Sequence, residues 1–164
     1  MSIFPTRILL ASDGSEDAAQ ATQVAVELSK ISGSELHVVY VGEDAYSVTL
    51  VSPEATEPRW VEQEDPTLIE EQERRFEQMA RRVLDAEVEN VQAVGGTVVQ
   101  AHLRMGTPAA EITDLAEELG VGLVVVGSRG LGGIRRALIG SVSDSVVRHA
   151  HCPVLVVRKG ERGE

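Results

Sequence analysis

The sequence predicts an α/β domain. The expected architecture is a single, doubly wound, five-stranded parallel sheet. Helices are expected on both faces. Three observations lead there. Short apolar runs alternate along the chain with stretches of helical period, which calls for strand–helix–strand units in one parallel sheet. The run "GLVVVG" at 122–127 is apolar almost throughout, as a central parallel strand covered on both faces must be. A length of 164 residues, 43% of them hydrophobic, suits one domain with a real core.

Each element follows in turn. "RILLAS" at 7–12 reads as a buried strand. Ala18, Ala21, Val24, Ala25, Leu28 and Ile31 then recur at helical spacing. Ser15 suits the N-cap of that helix, Glu16 and Asp17 its positive end, and Gly33 its stop. "ELHVVYV" at 35–41 reads as the second strand. Asp65-Pro66 has the form of an N-cap and first helical residue. The helix runs to about Val94 on a stripe of Phe76, Met79, Ala80, Val83, Leu84, Val91 and Val94, and Gly95-Gly96 end it. "TVVQAHL" is a third strand. "TPAAEITDLAEEL" is a helix capped by Thr107, buried through Ile112, Leu115, Ala116 and Leu119, and stopped by Gly120. After "GLVVVG" comes a short helix from about Gly140 to Ala150, then "PVLVVRK" as the fifth strand. Pro153 stands at its start, where a missing N–H is tolerated.

One domain over 1–159 is expected, with 160–164 as a disordered tail. Residues 42–66 break the pattern. They carry three prolines, two of the five aromatic residues and many acids, with no period. A stretch of this kind is a surface loop, a disordered segment, a lid or a contact surface. No apolar run approaches the roughly 18 residues of a membrane span, and the first residues lack the pattern of a signal peptide. A cytoplasmic protein is expected. Net charge is −11, which argues against general nucleic-acid binding, since that depends on clustered Lys and Arg. Cys152 is the single cysteine, which fits a reducing compartment.

The chemistry is expected beyond the carboxyl ends of the strands, where strand order reverses. That edge is built from 11–13, 41–42 and Gly127 onward. "VVVGSRGLGGIRRALIGSVSDSVV" at 124–147 holds five glycines and three arginines after the most apolar strand. Its register is Gly127-x2-Gly130-x9-Gly140-Ser141. Gly127 and Gly130 let backbone approach a ligand with no Cβ in the way. Gly140 and Ser141 open a helix, whose free N–H groups and positive end attract phosphate. No Gly-Lys-Ser/Thr follows, so this is not a P-loop. "ASDGSEDA" after the first strand has one glycine, so the dinucleotide fingerprint is missing too.

The pattern G-x2-G-x9-G-S/T resembles the ATP-binding signature of the universal stress protein family. The resemblance covers nearly the whole chain and implies a Rossmann-like sheet with strand order 3-2-1-4-5. Asp13-Gly14-Ser15 after the first strand is similar to the family's opening, "GTPAAEI" to its third loop and helix, and "GSRGLGGIRRALIGSVSDSVVRHAHCPVLVV" to its closing block. The departure is the long acidic stretch at 42–66. The resemblance implies that Asp13 accepts hydrogen bonds from ribose hydroxyls, beside Ser12. It implies that Val41 offers backbone N–H and C=O to the adenine edge, between Ala11 and Val126 as apolar walls. Gly127 and Gly130 would line ribose and phosphates, and Gly140, Ser141, Val142 and Ser143 would hold the polyphosphate. The implied ligand is ATP, with Mg2+ or Mn2+ held mainly by the phosphates. The implied activity is that of a nucleotide-dependent regulator or stress-tolerance factor, with at most slow ATP hydrolysis. The last strand, 153–159, would be an exposed edge that pairs two copies into a homodimer.

Alternatives stay open at this stage. Asp13 also suits an Asx-turn before the helix. Another adenine nucleotide, AMP or cyclic AMP, would use the same ribose contact. An ATP-hydrolysing enzyme is a further reading, although the paired glycines of an ATP-pyrophosphatase loop are missing from 12–17. Arg129, Arg135 and Arg136 suit phosphate contact, solvent exposure and the acidic stretch alike. His149-x-His151-Cys152 lacks the ligand number of a zinc site. A positive His suits a helix C-terminus, and Cys152 reads as a small buried hydrophobe. His37 and His102 fall within strands, where an ordinary structural role is expected.

Overall fold

Strand and helix alternate along the chain as the two apolar periods require. The computed structural model describes residues 6–43, 65–128 and 139–159. Its elements are β1 (Arg7–Ala11), α1 (Glu16–Ser32), β2 (Glu35–Gly42), α2 (Pro66–Ala93), β3 (Val98–Met105), α3 (Pro108–Leu119), β4 (Leu123–Gly127), α4 (Ser141–His149) and β5 (Val154–Val157). Both ends of the irregular acidic stretch are anchored: Gly42 closes β2 and Pro66 opens α2. Its residues 44–64 lie outside the described residues, as do the 160–164 tail and the glycine-loop residues Arg129, Gly130, Arg135 and Arg136.

The strands form one sheet in the order β3-β2-β1-β4-β5. Every pairing is parallel. The chain winds outward from β1 through β2 to β3, then returns to lay β4 and β5 on the other side of β1. The reversal lies between β1 and β4. Alternate side chains of a strand face opposite ways, so the sheet feeds two cores. Ile8, Leu10, Leu36, Val38 and Val125 pack with α1 and α2, through Ala21, Ala25, Leu84 and Val91. Leu9, Val39, Val124 and Val126 pack with α3 and α4, through Ile112, Leu115, Ala116 and Val146. Two helices therefore cover each face, which is why the central strands read as apolar throughout.

The caps explain where the helices begin and end. The Ser15 hydroxyl accepts the Ala18 amide at 3.2 Å, and Gly33 closes α1 with φ +69°. Asp65 accepts both the hydroxyl (2.7 Å) and the amide (3.0 Å) of Thr67. Those two bonds hold its carboxyl below the usual carboxylate range. Gly120 closes α3 in the left-handed region. Thr107 precedes α3 with extended backbone, but its side chain makes no cap bond.

The helical stripes differ from expectation at three residues. Ile31 is 81% exposed, Met79 64% and Val94 46%. The buried stripe of α1 is Ala18, Ala21, Thr22, Ala25 and Val26. At about 100° per residue, Ile31 stands roughly 150° from the middle of that stripe. Thr22 can take its place on the stripe because its hydroxyl bonds the Ala18 carbonyl at 2.9 Å. Val94 is the C-cap of α2 and lies beyond its last buried turn.

Candidate functional site

The main cavity, about 630 Å³, opens over the carboxyl ends of β1, β2 and β4. This is the point where strand order reverses, the usual place for a ligand in an open parallel sheet. Its β1 wall is Ala11, Ser12 and Asp13, and β4 supplies Val126 and Gly127. Val41 comes from β2, and Gly140 to Ser143 from the start of α4. Twelve residues were singled out in the sequence for this site. The ten that are described all line this one cavity, and Arg129 and Gly130 lie outside the described residues.

Local bonding sets what each wall can offer. After β1 the backbone turns sharply at Gly14, whose φ is +79°. Asp13 Oδ1 accepts the Ser15 amide at 2.9 Å, so the Asx-turn is present. A carboxylate has about four lone-pair positions. The turn uses one, and the other oxygen remains able to accept from a ligand. Ser12 is buried, its amide donates to the Val39 carbonyl at 3.2 Å, and its hydroxyl accepts the Gly14 amide at 3.4 Å.

At the opposite wall, Gly140 is the N-cap of α4, with φ −73° and ψ 162°. The first helical bond runs from the Asp144 amide to the Gly140 carbonyl. The N–H groups of Ser141, Val142 and Ser143 precede that bond and have no intrahelical acceptor. Ser141 and Val142 are exposed. Ser143 is buried, and its hydroxyl donates to the carbonyls of Ser128 (3.0 Å) and Gly140 (3.1 Å). That hydroxyl is spent on the protein, so the backbone N–H is the donor Ser143 has to offer.

A sequence profile described as the universal stress protein family matches residues 5–158. The chain belongs to that family. Among relatives, "Universal stress protein YxiE" of Bacillus subtilis (strain 168) is 35% identical over 152 residues, 93% of this chain and 98% of the relative. Universal stress protein UspA from Lactobacillus plantarum has a similar structure. Its TM-score is 0.70 at 24% identity, with 93% of this chain and 97% of that one covered. A universal stress protein solved in complex with cAMP has a TM-score of 0.64 at 22% identity, over 95% of this chain and 99% of that one.

Several lining residues of this universal stress protein were not picked out from the sequence. Tyr40 lies one residue before Val41 and lines the cavity. Burial, then the charges of Asp13 and Glu43, push its phenol above the usual value. Phe76, Met79 and Val83 of α2 form a further apolar wall. The helical stripe expected from the sequence includes all three. The buried face of α2 is carried by Ala80, Leu84, Glu87 and Val91, and no local pattern in the sequence sets the cavity-facing residues apart from it.

The remaining candidates lie away from the cavity. His37 and His102 stack with ring centroids 5.5 Å apart, and His37 Nδ1 is 3.2 Å from His102 Nε2. Burial first, then His37 and Arg104, lower the His102 pKa, while Glu118 opposes them. His149 lies in the last turn of α4, with Nδ1 2.8 Å from the Ser145 carbonyl. Cys152 is half-buried, and burial raises its thiol pKa. No helix among the described residues is long and apolar enough to cross a membrane.

Proposed function

We infer that this universal stress protein binds ATP over the switch point of its sheet and acts as a nucleotide-dependent regulator or stress-tolerance factor. The observation that carries the reading is the convergence of Asp13, Val41, Val126, Gly127 and the Gly140–Ser143 turn on one cavity of about 630 Å³. They come from three distant parts of the chain. Between them they fit every portion of the ligand. Ala11 and Val126 form apolar walls for a base, and the Val41 backbone would read its edge. The free carboxylate oxygen of Asp13 would accept from the ribose diol. The leading amides of α4, at a positive helix end, would bind phosphates. The lining, apolar at one side and donor-rich at the other, fits an amphipathic nucleotide.

Among the described residues no three His, Cys, Asp or Glu side chains stand together as metal ligands. The reading has Mg2+ or Mn2+ take its oxygens mainly from the phosphates. Asp13 is assigned to the sugar, which assigns no described lining residue as a base at the phosphate end. Hydrolysis is expected to be slow at most. The reading includes a homodimer through the β5 edge.

The relative solved with cAMP supports an adenine nucleotide as the ligand class and favours a second reading, in which AMP or cyclic AMP is the native ligand. Mass spectrometry of small molecules released from the purified protein, followed by competition calorimetry, separates the two. ATP is expected to displace AMP and cyclic AMP at equal concentration. Displacement in the opposite order would overturn the ATP reading, and no binding of any adenine nucleotide would overturn both.

A further inference from the structure

Ser128 is the first residue after β4 and is 2% exposed. It joins four parts of the molecule. Its hydroxyl donates to Asp17 Oδ2 in the first turn of α1 at 2.7 Å. Its amide donates to the carbonyl of Val157, at the end of β5, at 2.8 Å. Its carbonyl accepts both the Gly140 amide and the Ser143 hydroxyl. The carbonyl has two lone pairs, and α4 uses both. The neighbouring backbone is equally close-set: a Cβ on Gly127 would lie 2.9 Å from the Asp17 carbonyl carbon and 3.0 Å from the Ala18 nitrogen. β4 therefore runs hard against the start of α1 at this point.

The consequence lies in what the two ends of this tie carry. Asp17 is four residues after Asp13, on the far side of the turn that aims the Asp13 carboxylate. Ser128 holds the residues that open α4. We propose that Asp17 and Ser128 are a positioning pair: they lock the α4 amides in register with the β1–α1 turn, and so set the affinity of the site for the phosphate end of its ligand. Neither side chain touches the ligand in this arrangement. The choice of ligand rests on the nucleotide reading above, whereas the tie itself is made wholly by protein groups.

The charge of Asp17 makes the test sharp. A carboxylate near a polyphosphate repels it, so removing that charge alone would tighten ATP binding. Loss of the tie predicts the reverse. Ser128→Ala and Asp17→Ala are expected to weaken ATP by about tenfold, the value of a lost hydrogen bond to a charged group. Adenosine lacks phosphates, and its affinity should change by less than about twofold if the pair acts on α4 alone. Asp17→Asn keeps an acceptor oxygen for the Ser128 hydroxyl and is expected to restore ATP binding. The double variant Asp17→Ala/Ser128→Ala should be no weaker than either single one, because the two residues act as one unit.

A second readout needs no ligand. The Gly140 amide bonds to Ser128, so its hydrogen exchange is expected to quicken in Ser128→Ala and Asp17→Ala and to recover in Asp17→Asn. Unchanged Gly140 exchange in both alanine variants would overturn the proposal. So would equal loss of ATP and adenosine, or additive losses in the double variant. If wild-type protein binds no adenine nucleotide, the nucleotide reading falls and the exchange data still decide the role of the pair.

Discussion

Asp13 builds the turn after β1, and the proposed ribose contact would give it a second task. Oδ1 holds the turn through the Ser15 amide, and the second oxygen is the one the ribose contact requires. Asp13→Ala removes both. Loss of a charged hydrogen bond costs roughly 1.5–3 kcal/mol, so ATP affinity is expected to fall at least tenfold by calorimetry. The loss should be smaller for 2′,3′-dideoxy-ATP, which has no diol. Equal loss for both ligands would show that the turn, not the sugar contact, was damaged. His102 supports a prediction of another kind. Its pKa is lowered in the folded protein, chiefly by burial, then by His37 and Arg104. The unfolded chain therefore takes up the proton first as pH falls through about 6.5, the ordinary value for His. More protons on the unfolded state means stability that rises with pH across this window and is lost below it. The thermal midpoint is expected to drop as pH goes from 7 towards the lowered His102 value, before the carboxylates titrate. His102→Gln should flatten that slope. An unchanged slope would place the titrating group elsewhere.

The helices show what periodicity reports and what it leaves out. Helix boundaries were readable from local chemistry, although Thr107 precedes its helix without making a cap bond. Ser15 bonds Ala18 as its position suggests, so Ser15→Ala is expected to cost about 1 kcal/mol. That would show as a lower denaturant midpoint at constant m-value. Gly33 and Gly120 end their helices in the left-handed region, where glycine suffers no Cβ clash. Side-chain destinations were less readable. An apolar residue at helical spacing can face a core or a cavity, and Met79 and Phe76 look the same in either case. Which of the two it is depends on how far α2 overhangs the sheet, a tertiary fact with no local signature. The site followed the same division. Asp13, Gly127 and Gly140 stand out by residue type and spacing, while Tyr40 was hidden inside a strand that already had an explanation. The start of α4 gives a direct test. Gly140 has φ −73°, so a side chain there is not strained by the backbone. Gly140→Val should keep the fold and place a branched side chain at the cavity wall. ATP binding is expected to weaken with little change in thermal midpoint. Retained affinity in the folded variant would remove α4 from the phosphate site.

At the scale of the whole molecule the sheet has two edges, β3 and β5. β5 is the shorter, with all four residues half-buried in the single chain. Its hydrogen bonds to β4 run from the Val124 amide to the Pro153 carbonyl and from the Ser128 amide to the Val157 carbonyl. A parallel ladder uses alternate residues on each side, so the odd-numbered residues of β5 face β4. Val154 and Val156 then present their N–H and C=O groups to the open edge. Their side chains pack on the α3–α4 face, and those of Leu155 and Val157 on the α1–α2 face. An uncharged, apolar edge with no partner strand among the described residues invites pairing, and a two-fold axis would let a second copy supply that strand. Val156→Pro tests the proposed homodimer cleanly. It removes an N–H that points outward, away from the β4 ladder, and proline is tolerated at sheet edges for that reason. The variant is expected to stay folded and become monomeric, whereas Leu155→Pro should unfold the chain by taking a donor from β4. Light scattering at micromolar concentration decides it. A wild-type mass near one chain, or a Val156→Pro variant that remains dimeric, would remove β5 as the interface.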